Sequence, residues 1–100
     1  MKRVEVVVVP TALEQVGRID EWWHRERLSA PDLFLDEFGA ALERLATAPS
    51  AGTIYVGGHR RDLRRVLLPR TRYHVYYLVE EDRVAVMAVW HATRGAGPRL

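Results

Sequence analysis

The sequence predicts an α+β fold: an N-terminal strand, an antiparallel helical hairpin and a three-stranded antiparallel meander, with both helices on one face of a four-stranded sheet. Three observations predict it. Residues 62–94 hold three successive runs rich in Val, Tyr, Leu and Trp, separated by short turns. A valine run opens the chain. Between them lie two stretches whose apolar residues recur at helical spacing, each preceded by a helix start signal.

The first strand covers Arg3 to Val9 and is almost wholly valine, so it is expected to be buried beside the third meander strand, the most apolar of the three. Pro10 ends it. Thr11 and Glu14 then fit a capping box, so a helix is expected from about Ala12 to Arg27 with Ala12, Leu13, Val16, Ile19 and Trp23 inward. Trp22 and Trp23 are adjacent and cannot face the same way, which places one at the core edge or in an interface. Ser29-Ala30-Pro31-Asp32 signals a second helix to about Ala48, closed by Pro49, with Phe34, Leu35, Phe38, Ala41, Leu42 and Leu45 as its stripe. Phe38 and Leu42 are expected to hold the hairpin to the sheet. The few residues between the helices make them antiparallel neighbours.

Residues 49–61 read as a glycine-containing loop that Ile54-Tyr55-Val56 could pin to the body. The meander strands are Leu63–Leu68, Tyr73–Val79 and Arg83–His91, joined by Pro69–Arg72 and Glu80–Asp82. Connections this short require antiparallel pairing. On the second strand Tyr73, Val75, Tyr77 and Val79 share one face, and His74, Tyr76 and Leu78 the other. Neither face is plainly polar, which marks a central strand. Residues 1–94 form one domain and residues 95–100 a loose tail.

Several function classes are excluded. The chain has no cysteine, hence no disulfide and no thiolate metal site. His24, His59, His74 and His91 lack metal-ligand spacing, so no metal and no cofactor is expected. Gly57-Gly58 precedes no helix and is no phosphate cradle, and no nucleophile elbow is present. Asp36 and Glu37 fall on different sides of their helix, a poor catalytic pair. The valine run is too short and, with Glu5, too charged for a signal peptide or a membrane span, so a cytoplasmic protein is expected.

Charge is unevenly distributed. Residues 1–50 carry six basic and nine acidic side chains, a net of −3, whereas residues 51–100 carry nine and four, a net of +5. The positive field therefore lies on the strand half, where an acidic partner or a nucleic acid would be attracted. Arg60, Arg61, Arg64 and Arg65 crowd the entrance to the meander, with Asp62 the only acid among them. Strand alternation sends Arg64 and Arg65 to opposite faces, so they cannot act as one clamp.

The order of elements, Pro49 closing a long helix, Leu63-Arg64-Arg65, the Tyr73-x-Val75-x-Tyr77 strand, the acidic turn and the His91-x-x-Arg94 ending resemble the RelE/ParE superfamily of toxins from type II toxin–antitoxin systems. The resemblance runs from Val4 to Arg94 and implies a β-α-α-β-β-β domain. Within the superfamily, ParE-like members inhibit growth by poisoning DNA gyrase, a plasmid-stabilising device, and RelE-like members cut mRNA on the ribosome. The His-x-x-Arg ending is similar to the ParE-like branch. The terminal Tyr and the lysine pair of the ribonucleases are missing, and His74 stands where they usually carry a basic residue. The resemblance thus implies a toxin without catalytic residues, bound by an acidic antitoxin. Arg60, Arg61, Arg64, Arg65, His91 and Arg94 are the expected partner-binding residues. The alternative is a ribosome-dependent endoribonuclease with Arg65, His74, His91 and Arg94 as its catalytic candidates, and a further alternative is a non-toxic α+β binding domain.

Overall fold

A computed structural model of the chain describes residues 2–56, 60, 62–93 and 97–98. The chain order is β1 (Glu5–Val8), α1 (Pro10–Glu26), α2 (Leu33–Thr47), β2 (Thr53–Ile54), β3 (Arg64–Leu67), β4 (Tyr73–Val79) and β5 (Arg83–His91). The strands form one sheet in the order β1-β5-β4-β3-β2. β1 runs parallel to β5 and every other pair is antiparallel. Both helices pack on one face, and β4 is central, with Val75, Tyr76, Tyr77 and Leu78 all buried.

Both helices start differently from the reading of their caps. α1 begins at Pro10, not at a Thr11 cap, and no side chain caps it. Proline suits the first helical position, because its φ is already helical and its missing N–H would have no partner there. Val9 supplies the first acceptor, taking the Leu13 N–H at 2.9 Å. α2 begins at Leu33 instead of near Ser29. Ala30 to Leu33 form a turn closed by the Leu33 N–H on the Ala30 carbonyl, with Pro31 second and Asp32 at φ −98°, ψ 2° third. That is a type I turn, which Pro at its second position favours.

The inward stripes are narrower than expected. Ala12, Val16 and Trp23 of α1 and Phe34, Phe38, Ala41 and Leu45 of α2 are buried in the main core with Val66, Leu68, Val75, Tyr77, Val84, Val86 and Val89. Leu13 and Leu35, assigned inward, point to solvent at 59% and 43% exposure, and Leu42 is half-buried. Each of the two exposed leucines lies beside a buried residue on a helix that rests on a flat sheet, so the contact arc takes one of the neighbours. Trp23 is buried and Trp22 lies at the margin, as their adjacency required.

The sheet has five strands rather than four, because the loop after α2 adds β2 to the edge of β3. Gly52 allows this. Its N–H donates to the buried Tyr77 hydroxyl at 2.8 Å, and a Cβ there would lie 2.6 Å from both the Arg65 carbonyl oxygen and that hydroxyl. The approach therefore requires glycine. The Tyr55 N–H then reaches the Leu63 carbonyl, and the Tyr55 ring packs edge-on against Tyr76 at 4.9 Å. Leu63, Tyr76, Leu78 and Ala88 make a smaller core on the sheet's second face.

A β-bulge in β5 redirects its C-terminal half. Tyr77 pairs with Val86 and Tyr76 with Ala88, leaving Met87 as the extra residue. Val84 and Val86 face the helices before it, and Val89 does so after it, while Ala88 and Trp90 join the second face. At the far end of the segment expected to be a loose tail, Pro98 is buried, and a methyl group on Gly97 would overlap the Tyr55 hydroxyl. Among the described residues no helix is long and apolar enough to cross a membrane.

Candidate functional site

The sheet divides the arginines flanking β3 into different environments. Arg64 faces the helix side, where one guanidinium nitrogen donates to the Gly52 carbonyl at 2.8 Å and lies 3.5 Å from that of Ser50. It is half-buried and fastens the α2–β2 connection. Arg65 faces the other side. Its guanidinium stacks over Tyr55, 5.0 Å from the ring centre, and lies 3.4 Å from the Tyr76 hydroxyl. Arg60 is exposed and ion-paired with Asp62 at 3.2 Å, which raises the pKa of the guanidinium and lowers that of the carboxyl. Arg61 and Arg94 lie outside the described residues.

His74 and His91 sit on opposite faces. His74 joins Arg65 and Tyr76 on the second face, with its ring 6.0 Å from that of Tyr76. Partial burial, reinforced by the charges of Arg65 and Arg72, lowers its pKa, so the neutral imidazole is favoured. His91 follows the bulge and is turned to the helix side, where its ring meets Tyr73 edge-on at 4.9 Å. Its Nδ1 accepts the Thr93 N–H at 3.2 Å and lies 2.6 Å from the Thr93 hydroxyl. The residues proposed for ribonuclease chemistry are thus not assembled as one set. Arg65 and His74 share a surface, and His91 is across the sheet. No cluster of metal ligands occurs among the described residues.

A concavity lies elsewhere. A groove of about 580 Å³ runs between α1 and the C-terminal half of β5, lined by Gln15, Arg18, Ile19 and Trp22 on one side and Tyr73, Val89, Trp90 and His91 on the other. A second hollow of about 470 Å³ continues it past Trp22, Tyr73 and His91 to Arg27 and Arg70. Arg27 stacks over Trp22, 5.1 Å from its ring centre. Among the described residues no carboxylate lines either hollow. Of these residues the sequence flagged only His91 as partner-binding and Trp22 as a possible interface residue. The groove exists because β1 stops at Val8 while β5 continues five residues beyond Val86, a mismatch of strand lengths that no local motif encodes.

A short β-α-α-β-β-β-β domain with both helices on one face of the sheet has the form of a RelE/ParE-type toxin. The model of the ParE toxin family of type II toxin–antitoxin systems (parDE) matches residues 6–95, and the chain belongs to that family. Seven chains of solved structures match it. One is a chain of the chromosomal ParDE toxin–antitoxin system from P. aeruginosa, similar over 89% of this chain and 96% of that one, with a TM-score of 0.70 and 10% identity. At that identity the likeness supports the fold alone. No curated protein matches the chain.

Proposed function

We propose that the protein inhibits growth by binding a cellular target, with DNA gyrase as the leading candidate, and that an acidic antitoxin neutralises it. Membership of the ParE toxin family carries this reading. The separation of His91 from Arg65 and His74 by the sheet supports contact rather than catalysis, because moving protons at a scissile phosphate requires the acting groups within hydrogen-bond reach of one substrate. The net +5 on residues 51–100 supplies the sign of the partner's charge. An antitoxin segment that is disordered when free could cover both the helical hairpin and the sheet edge, folding as it binds.

Induced expression, with and without the product of any small open reading frame found immediately beside the gene, tests the reading. Growth arrest with a DNA-damage response and intact mRNA, relieved by co-expression, is the expected result. Purified protein should then inhibit gyrase supercoiling. Arrest with cleaved mRNA and undamaged DNA would select the ribonuclease alternative, in which Arg65 and His74 share the working surface. Expression without arrest would overturn the toxin reading.

A further inference from the structure

The β3–β4 turn is held in a conformation that its residues would not adopt alone. Pro69 to Arg72 form the tip of the hairpin. The Leu68 N–H donates to the Tyr73 carbonyl and the Arg72 N–H to the Leu68 carbonyl, both at 2.8 Å. Arg72 has φ 69°, and among the described residues it is the only non-glycine residue with a positive φ. A Cβ meets steric resistance there, so glycine or asparagine is the ordinary occupant. The strain is held from two sides. The Glu37 carboxylate accepts the Arg70 and Thr71 N–H groups, and the Arg72 carbonyl accepts the Ala92 N–H at 2.8 Å. Strained residues that their surroundings over-determine cluster at functional sites. Thr71 is buried, with its hydroxyl on Glu37, so the turn offers Arg70 and Arg72 to solvent and keeps its remaining polar side chain inside. Among the described residues neither guanidinium is ion-paired.

We propose that this turn is a phosphate-gripping prong, through which Arg70 and Arg72 contact the backbone of the duplex DNA on which gyrase acts. The inference rests on the gyrase reading above and adds to it a contact between toxin and DNA. A guanidinium suits phosphate oxygens because it is planar, permanently charged and carries several N–H donors. Backbone contacts position a protein on a duplex and need spaced cations rather than a pocket. A protein partner would instead need a buried anchor at the centre of the contact, and the exposed residues of the turn are Pro69 and the two arginines alone. Arg27, at the end of α1, extends the cationic line, because it lines the same hollow as Arg70. Its guanidinium is oriented over Trp22 and Trp23, 5.1 and 6.0 Å from their ring centres. On the other flank the charge of Arg72 bears on His74. Glu37, the carboxylate beside the turn, has both oxygens engaged by the Arg70 N–H and the Thr71 N–H and hydroxyl. It therefore fixes the prong in place and leaves the guanidinium groups to the partner.

The test uses the full chain and a short fluorescein-labelled DNA duplex. Anisotropy at about 50 mM salt should show binding that weakens as salt rises. Arg70→Ser and Arg72→Gly should each weaken it about threefold or more and reduce the salt slope by about one. Arg72→Gly separates binding from folding: it relieves the left-handed strain, so its thermal midpoint should stay level or rise while its affinity falls. Arg3→Ser removes the same charge beside β1, at the end of the sheet away from the turn, and should leave both nearly unchanged. In a supercoiling assay the Arg70 and Arg72 variants should inhibit gyrase less than the parent chain. Equal weakening by Arg3→Ser, tighter binding of single-stranded RNA than of the duplex, a lower thermal midpoint in Arg72→Gly, or no binding of the duplex by the parent chain would overturn the prong. Undiminished gyrase inhibition by both variants would also overturn it and leave the gyrase reading standing. Loss of duplex binding in both variants of a parent chain that does not inhibit gyrase would overturn the gyrase reading and leave the DNA contact standing.

Discussion

Glu37 and Thr71 are bound to one another across the helix–sheet junction. One carboxylate oxygen of Glu37, on α2, accepts both the Thr71 hydroxyl at 2.7 Å and the Thr71 N–H at 2.9 Å, while the other accepts the Arg70 N–H at 2.8 Å. The β3–β4 turn is thereby fixed to the second helix. It holds Arg72 at φ 69°, a left-handed conformation that an Arg would not choose alone. Partial burial pushes the Glu37 pKa up, but these hydrogen bonds and the Arg70 charge outweigh it, so the net shift is downward.

Replacing Glu37 with Ala should therefore destabilise the fold by about 1–3 kcal/mol, because the buried Thr71 loses its acceptor. The pH dependence follows from the lowered pKa. The contribution is fully present above the ordinary carboxyl value of 4.5 and is lost as pH falls through the depressed folded value. Urea midpoints measured across acid pH should fall less steeply in Glu37→Ala than in the parent.

Phe38 and Leu42 should separate in their effects. Phe38 is buried and stacks on Phe34 with ring centres 5.9 Å apart, so Phe38→Ala should cost about 3–5 kcal/mol. Leu42 is only partly buried and should cost less on truncation. Equal losses in chemical denaturation would mean that Leu42 fills more of the core than its exposure indicates.

His24 joins the helices at their connection. Its Nδ1 lies 2.9 Å from the Asp20 carbonyl, and its Nε2 lies 3.1 Å from an Asp32 carboxylate oxygen. The hydrogen bond to the Asp20 backbone, followed after slight desolvation by the charges of Asp20 and Asp32, raises its pKa. The sign is opposite to that of Glu37: stabilisation is complete below the ordinary value of 6.5 and disappears as pH rises through the folded value. An NMR titration should find a pKa above 6.5 that moves back toward it in Asp32→Asn.

The arginines near β3 should differ in kind. Substituting Arg60, Arg61, Arg64 and Arg65 together with Ser should slow antitoxin association and flatten its salt dependence, since long-range attraction is screened within about 8 Å at physiological ionic strength. Singly, Arg64→Ser should also lower stability, because it releases the Gly52 carbonyl, whereas Arg60→Ser should not. Stopped-flow association rates together with thermal melts distinguish the two.

The sequence by itself determined the elements. Valine and tyrosine runs defined the bounds of β4 and β5, helical spacing located Phe34, Phe38 and Leu45 inside, and Pro10 and Pro49 marked the changes of direction. It also separated Arg64 from Arg65, since strand alternation is local. Only the tertiary structure decided what depends on pairing between distant segments. The bulge at Met87 exchanges the faces that strict alternation assigns to Val89, Trp90 and His91, so His74 and His91 end on opposite sides of the sheet. Gly52 lets a loop become a strand by approaching Tyr77, 25 residues away. The groove beside β5 arises where β1 ends and Gln15 reaches Val89 across 74 residues of chain. Backbone period and side-chain character act over a few residues and can be read in one dimension. Register, bulges and strand-length mismatch are set by contacts between residues far apart in sequence, which exist only after the chain has folded.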